Sequence, residues 1–237
     1  MSERIKVRVK FSKHGALKFI GHLDIMRYFQ KVFRRSGIDI AYTEGFSPHQ
    51  VMSFAAPLGV GLTSNGEYMD IEVNSMESCQ DIKERLNQAS VPGIEVISVK
   101  VLPEGAGNAM ASVAAASYTV RFREGREPAV DMGAALSGFL AKEQILITKE
   151  TKKGSREVDL KPGIYRLEWS DGAFRMLVDA SSGGNIKPIQ IIEALLADCG
   201  EILQENALIV TREEVYTDTG TEERPELVPL DDVGTVQ

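Results

Sequence analysis

The chain has 237 residues and a mass of 26.0 kDa, enough for one large domain or two small ones. It is 43% hydrophobic and 26% charged, with a net charge of −7 and a pI near 5.2, ordinary values for a globular protein that buries a core. No apolar run approaches the roughly 18–20 residues of a membrane span, the charged N-terminus does not read as a signal peptide, and two cysteines, Cys79 and Cys199, make neither a Cys-rich zinc site nor the three-Cys cluster motif of a radical enzyme.

Residues Arg4 to Phe11 alternate, with Ile5, Val7, Val9 and Phe11 on one side and Arg4, Lys6, Arg8 and Lys10 on the other, which predicts a half-buried strand. A helix is expected over His22–Ser36, its apolar stripe being Ile25, Met26, Phe29, Val32 and Phe33, with Gly37 at its end. A Gly/Pro-marked stretch runs from Tyr42 to Gly66 and holds a short strand near Val51–Ala55. Glu67–Val73 alternates again, with Tyr68, Asp70 and Glu72 facing outward. A helix capped by Ser78 and a strand over Ile94–Val101 complete a β-α-β-β-α-β order, the ferredoxin-like unit.

The pattern then repeats. Asn108–Ala116 reads as a connecting helix. Strands are expected at Ser117–Arg123, Gln144–Glu150, Gly163–Trp169, Ala173–Asp179 and Ala207–Tyr216, and helices at Ala129–Ala141 and Pro188–Asp198, with an extra strand or hairpin near Arg156–Asp159. The expected class is therefore α+β, with two tandem ferredoxin-like units and antiparallel sheets. The boundaries fall at residues 1–104, 105–116 for the connecting helix and 117–216, and the acidic segment 217–237 reads as a disordered tail.

Charge is unevenly spread. Residues 1–35 hold ten Lys and Arg against two acids, a pole of +8, whereas residues 213–237 hold eight acids against Arg224. A basic pole of this kind suits a phosphate-bearing partner. On the helix, Arg27, Lys31, Arg34 and Arg35 share a face with Asp24. Two structural readings compete: Lys6 and Arg8 pairing across strands with Asp70 and Glu72, and a merely solvated helix face with an (i, i+3) Asp24–Arg27 pair. The acidic tail is also a candidate competitor, lying on the basic pole.

All three histidines precede residue 50: His14, His22 and His49. His22 opens the helix in Gly21-His22-Leu23-Asp24, where the cationic form is disfavoured. His49 ends the loop Gly45-Phe46-Ser47-Pro48-His49. His22, Asp24 and His49 are candidates for a two-His, one-carboxylate metal site or for acid–base work on a phosphodiester; capping and turn hydrogen bonds are the structural alternatives. Glu67, Tyr68 and Asp70 border the same region or form the polar face of a strand. Gly59-Val60-Gly61 lacks dinucleotide-loop spacing, and Ser181-Ser-Gly-Gly-Asn185 reads as a turn into a helix rather than a phosphate cradle.

The runs Lys18-Phe-Ile-Gly-His22-Leu-Asp24-Ile-Met-Arg27, Arg34-Arg35-Ser-Gly37, Tyr42-Thr-Glu-Gly45-Phe46-Ser-Pro48-His49 and Gly66-Glu67-Tyr68-Met-Asp70 resemble the radical-SAM-linked family of bacterial proteins in its stand-alone form. The resemblance is close over about residues 4–75 and looser beyond. The family loop reads closer to Gln-Gly-Phe-Asn-Pro-His-Pro, so Glu44, Ser47 and Gln50 are departures, while Gly45, Phe46, Pro48 and His49 match. The resemblance implies a radical SAM protein as partner; Cys79 and Cys199 read as reduced thiols, so a cytoplasmic location is expected, with no cofactor in this chain. The double unit also resembles RNA-processing proteins of the CRISPR repeat-cleaving type in fold alone.

Three functions remain open. In the first, the chain binds an RNA or ribosome-related substrate for its partner through Arg27, Lys31, Arg34 and Arg35, with Tyr42 and the loop Gly45–His49 lining an adjoining pocket. In the second, it is an RNA-processing or RNA-modifying enzyme using His22 and His49 as acid and base. In the third, it is a structural subunit of a heteromer.

Overall fold

The computed structural model describes residues 4–151, 154–221 and 224–237. Two compact units emerge, one formed by residues 1–114 together with 212–237, the other by residues 115–211. Strand pairing is mostly antiparallel, and the protein is of the α+β class. Among the described residues no helix is long and apolar enough to cross a membrane.

In the first unit, β1 (Ile5–Lys13) is central, paired with β3 (Thr63–Val73) on one side and β4 (Ile94–Val101) on the other. The short β2 (Met52–Phe54) and β10 (Leu208–Asp218) flank β3 beyond β1. The order along the sheet is thus β4-β1-β3 and then β2 or β10. Gly66 marks the approach of β10 to β3: a Cβ there would lie 2.8 Å from the Glu213 carbonyl oxygen, so any side chain would push the strands apart.

Helices α1 (His22–Ser36) and α2 (Cys79–Ala89) cover one face of that sheet. On α1 the spacing of Ile25, Phe29, Val32 and Phe33 puts all four on one stripe, and all are buried. They meet Val7, Val9 and Phe11, the odd-numbered side of β1, and the Phe11 and Phe29 rings stack edge-on at 4.7 Å. Gly37 ends α1 with φ of 66°, a left-handed turn that glycine adopts without steric cost. Ser78 caps α2 by accepting the Asp81 amide at 3.0 Å.

The other face of the sheet departs from expectation. Tyr68 and Asp70 do not face water: they are 2% and 4% exposed. The short helix α3 (Ala109–Ser112) and the C-terminal segment cover them. Asp70 accepts Arg8 Nε at 2.8 Å, Arg8 Nη2 at 3.0 Å and the Ala109 amide at 2.9 Å. Arg8 Nη1 donates to the Leu230 carbonyl at 3.1 Å. Lys6 donates to the Ala106 carbonyl at 2.9 Å, and Arg4 pairs with Glu72 at 3.3 Å. The strand bases are therefore consumed by structure, although Lys6 pairs with backbone rather than with an acid.

The expectation of a disordered tail is corrected. β11 (Leu227–Pro229) pairs antiparallel with β10, Leu230 is fully buried, and Thr235 bridges Val101. Asp231 meets Lys100 at 3.3 Å and the Gln237 carbonyl accepts the Cys79 amide at 2.9 Å. One leucine anchor and main-chain pairing outweigh the segment's scarcity of apolar side chains. Glu222 and Glu223 of the expected tail lie outside the described residues. Asp231 and Asp232 meet Lys100 of β4, and among the described residues none of the segment's acids pairs with the basic residues of α1.

The second unit contains β5 (Ala115–Phe122), α4 (Met132–Leu140), the hairpin β6 (Leu146–Thr151) and β7 (Gly154–Asp159), β8 (Ile164–Ser170), β9 (Ala173–Asp179) and α5 (Pro188–Asp198). Its sheet order is β10-β5-β9-β8, and among the described residues β6 and β7 form a separate two-stranded sheet. The core gathers Val120, Phe174, Met176 and Val178 from the sheet with Leu136 and Phe139 of α4 and Ile192 and Leu195 of α5. The expected connecting helix is present only as the single turn α3, because Ala115 and Ala116 already belong to β5.

Candidate functional site

The site begins with strand parity. Lys13 continues the odd-numbered series of β1, so its side chain enters the side occupied by Val9 and Phe11 and is only 2% exposed. Glu67 is in register with Phe11 on β3. His22 starts α1 on the same side. These three line one small, partly enclosed pocket with walls from Phe11, Phe54 and Leu58 and space for about one water molecule.

The charges in this pocket are unequally satisfied. Glu67 is 6% exposed and holds Arg212, itself 3% exposed, with Nε at 2.9 Å and Nη2 at 2.5 Å from Oε1. Arg212 also donates to the Ala56 carbonyl at 2.6 Å. The Lys13 amine makes no hydrogen bond or ion pair among the described residues. Its pKa is lowered, first by burial and then by the Arg212 charge, against an opposing pull from Glu67. His22 packs edge-on against Phe54 at 5.3 Å. Its pKa is also lowered, by burial, with Glu67 acting the other way, so the neutral imidazole is favoured.

His49 has different company. It is exposed, its amide donates to Thr43 Oγ1 at 3.1 Å, and its Nδ1 lies 3.1 Å from the same oxygen and 3.4 Å from the Ser47 carbonyl. Asp24 is exposed and paired with Arg27 at 3.2 Å. Thus the candidates His22, Asp24 and His49 each have separate partners. Among the described residues no group of three His, Cys, Asp or Glu is placed to hold a metal ion.

The loop 43–49 stands in solvent and does not line the His22 pocket. Gly45 turns with φ of 108°, Phe46 at the tip is fully exposed, and Tyr42 is 43% exposed. Pro48 precedes His49 and stiffens the return. The loop is fixed at its base by the Tyr42–Gln50 bridge and by Gln50 Nε2 donating to the Gln30 carbonyl of α1 at 3.4 Å.

On α1 the residues Arg27, Lys31, Arg34 and Arg35 are all exposed. Arg27 has Asp24, and Arg35 donates to the Ala89 carbonyl at 2.9 Å. Lys31 and Arg34 carry no ion pair among the described residues. Tyr68 and Asp70, sequence candidates for the same pocket, lie on the opposite side of β3. Tyr68 donates to Glu214 Oε1 at 2.6 Å, and its hydroxyl pKa is pushed far up by burial and by that carboxylate. Alternation along β3 separates them from Glu67.

Sequence reasoning missed Lys13 and Arg212. Lys13 carried a signal, since the apolar parity of β1 extends to it; Arg212 carried none, being placed by a strand 145 residues from Glu67.

Fold and site together define an α+β protein whose first unit carries an exposed cationic helix above a buried lysine–histidine–glutamate pocket. A family model described as "Uncharacterized protein conserved in bacteria (DUF2344)" matches residues 6–188. The chain belongs to that family. No curated protein matches it.

Proposed function

We propose that the protein is a binding module that engages single-stranded RNA, or a ribosome-related RNA segment, for a radical SAM partner protein in the cytoplasm. The observation that carries this reading is the cationic face of α1, on which exposed Lys31 and Arg34 have no acid to neutralise them among the described residues. Phosphates supply such acids. The exposed Phe46 and Tyr42 beside that helix add flat surfaces on which unpaired bases stack. The partner is inferred from the sequence resemblance. The two free cysteines, Cys79 and Cys199, fit a reducing compartment.

Each unit is also proposed as ferredoxin-like. Supporting this, the first unit runs β4-β1-β3 and then the short β2, and the second β10-β5-β9-β8, which is the same order by position in both.

The test is fluorescence anisotropy of a labelled single-stranded RNA across a salt series, with the full chain and its Lys31→Glu/Arg34→Glu variant. Two lost phosphate contacts should weaken binding at least roughly tenfold and flatten the log–log salt slope by about 1.4. An unchanged slope, or no binding by the parent at low salt, refutes the RNA reading. Co-purification with the radical SAM protein tests the partner.

A further inference from the structure

We infer that the pocket formed by Lys13, His22 and Glu67 at the start of α1 is a binding site for a small oxyanion, the carboxylate or phosphoryl terminus of a ligand. The inference does not rest on the RNA reading, because none of these residues lies on the cationic face of the helix.

Four features converge on it. First, the side chain of Lys13 is buried and lines the cavity, yet it has no partner among the described residues. The amine is not sealed off but opens onto the cavity, so an anion that enters meets a cation with no protein partner among the described residues. Second, the fixed charges do not cancel. Arg212 grips Glu67 through both carboxylate oxygens, so one carboxylate faces two cations, Arg212 and Lys13. Third, α1 begins at the pocket with Gly21, and no side chain caps its first turn. Its leading amides keep the partial positive charge of a helix N-terminus. The one acid of that turn, Asp24, is exposed and occupied by Arg27. Fourth, His22 at the rim is favoured as the neutral ring, able to accept or donate one hydrogen bond without adding charge.

Size limits the ligand. The enclosed space takes about one water molecule, so a single oxygen or a planar carboxylate enters while the rest of the ligand stays at the mouth. The rim there is apolar. Phe54, Pro57 and Leu58 line the cavity beside His22. The fitting ligand therefore ends in an oxyanion and carries an apolar group next to it, against these side chains.

The experiment uses the full chain labelled with 13C at lysine Cε, with the Lys13 signal assigned from the spectrum of Lys13→Met. Sodium phosphate and sodium acetate are titrated separately against sodium chloride at matched ionic strength. A saturable shift of the Lys13 signal with either oxyanion, together with a higher pH midpoint for its titration, supports the site; the anion that acts names the terminus. Lys13→Met should lose the accompanying rise in thermal midpoint, whereas Lys31→Glu/Arg34→Glu should keep it. If neither oxyanion moves Lys13 more than chloride does, the inference fails. It also fails if Lys13→Met is stabilised as much as the parent. The measurement on the parent protein stands even if that variant does not fold.

Discussion

Arg8 offers the sharpest test of how the first unit is held together. It is 1% exposed, spans Asp70 with two hydrogen bonds, and gives a third to the Leu230 carbonyl. Arg8→Met keeps most of the stem and removes all three. Among the described residues Asp70 then keeps the Ala109 amide, and the Leu230 carbonyl loses its guanidinium donor. Removing one member of a buried pair costs about 3–5 kcal/mol. The lost Leu230 contact is part of that figure rather than an addition, because the groups form one network. For a chain of this length the loss corresponds to a fall in thermal midpoint of roughly 6–20 °C.

The diagnostic variant is Arg8→Met/Asp70→Asn. Asparagine still accepts the Ala109 amide but carries no charge, so the remaining deficit should shrink to about 1–3 kcal/mol, the cost of unmet polar groups. Urea unfolding followed by far-UV circular dichroism measures both. The single tryptophan, Trp169, lies in the second unit and does not report on the site of the change. If the single variant loses under about 1 kcal/mol, or if Asp70→Asn restores nothing in its background, the pair is not the strut described here.

Two further outcomes follow from the same geometry. His22 has a lowered pKa in the folded chain, so the unfolded chain binds more protons just below the ordinary histidine value of 6.5; stability should fall as pH drops through that window, and His22→Gln should flatten the denaturation midpoint plotted against pH. Leu230 is fully buried at the end of the C-terminal segment, so Leu230→Ala should cost about 2–5 kcal/mol in urea unfolding, whereas a loss near zero would mean the segment is a surface ornament.

The helices and strands were legible where periodicity was strong. The reading of α1 over His22–Ser36 and of β4 over Ile94–Val101 coincides with the structure, because apolar spacing alone fixes their faces. Tyr68 and Asp70, expected to face solvent, are covered. Alternation identifies two sides of a strand but not whether a distant segment covers the polar one. The C-terminal segment was opaque for a related reason: eight acids from residue 213 onward mask a single buried leucine. Of the candidate site, His22 and Glu67 were named from sequence and share one pocket, while Lys13 was hidden at a strand end placed two residues too early.

The first unit is split in sequence, with residues 115–211 inserted between its two parts. That division orders events during synthesis. All of the second unit's sheet except the end of β10 is translated before Arg212 and Leu230 exist. Arg8 meets the Leu230 carbonyl only after 222 further residues have been added, roughly 11–44 s at about 5–20 residues per second. Until then Arg8 and Asp70 have each other, but Lys10 and Tyr68 lack Glu214 and Glu67 lacks its arginine. The walls of the pocket all come from residues 11–67 and are made early, whereas the arginine that neutralises Glu67 arrives only with β10.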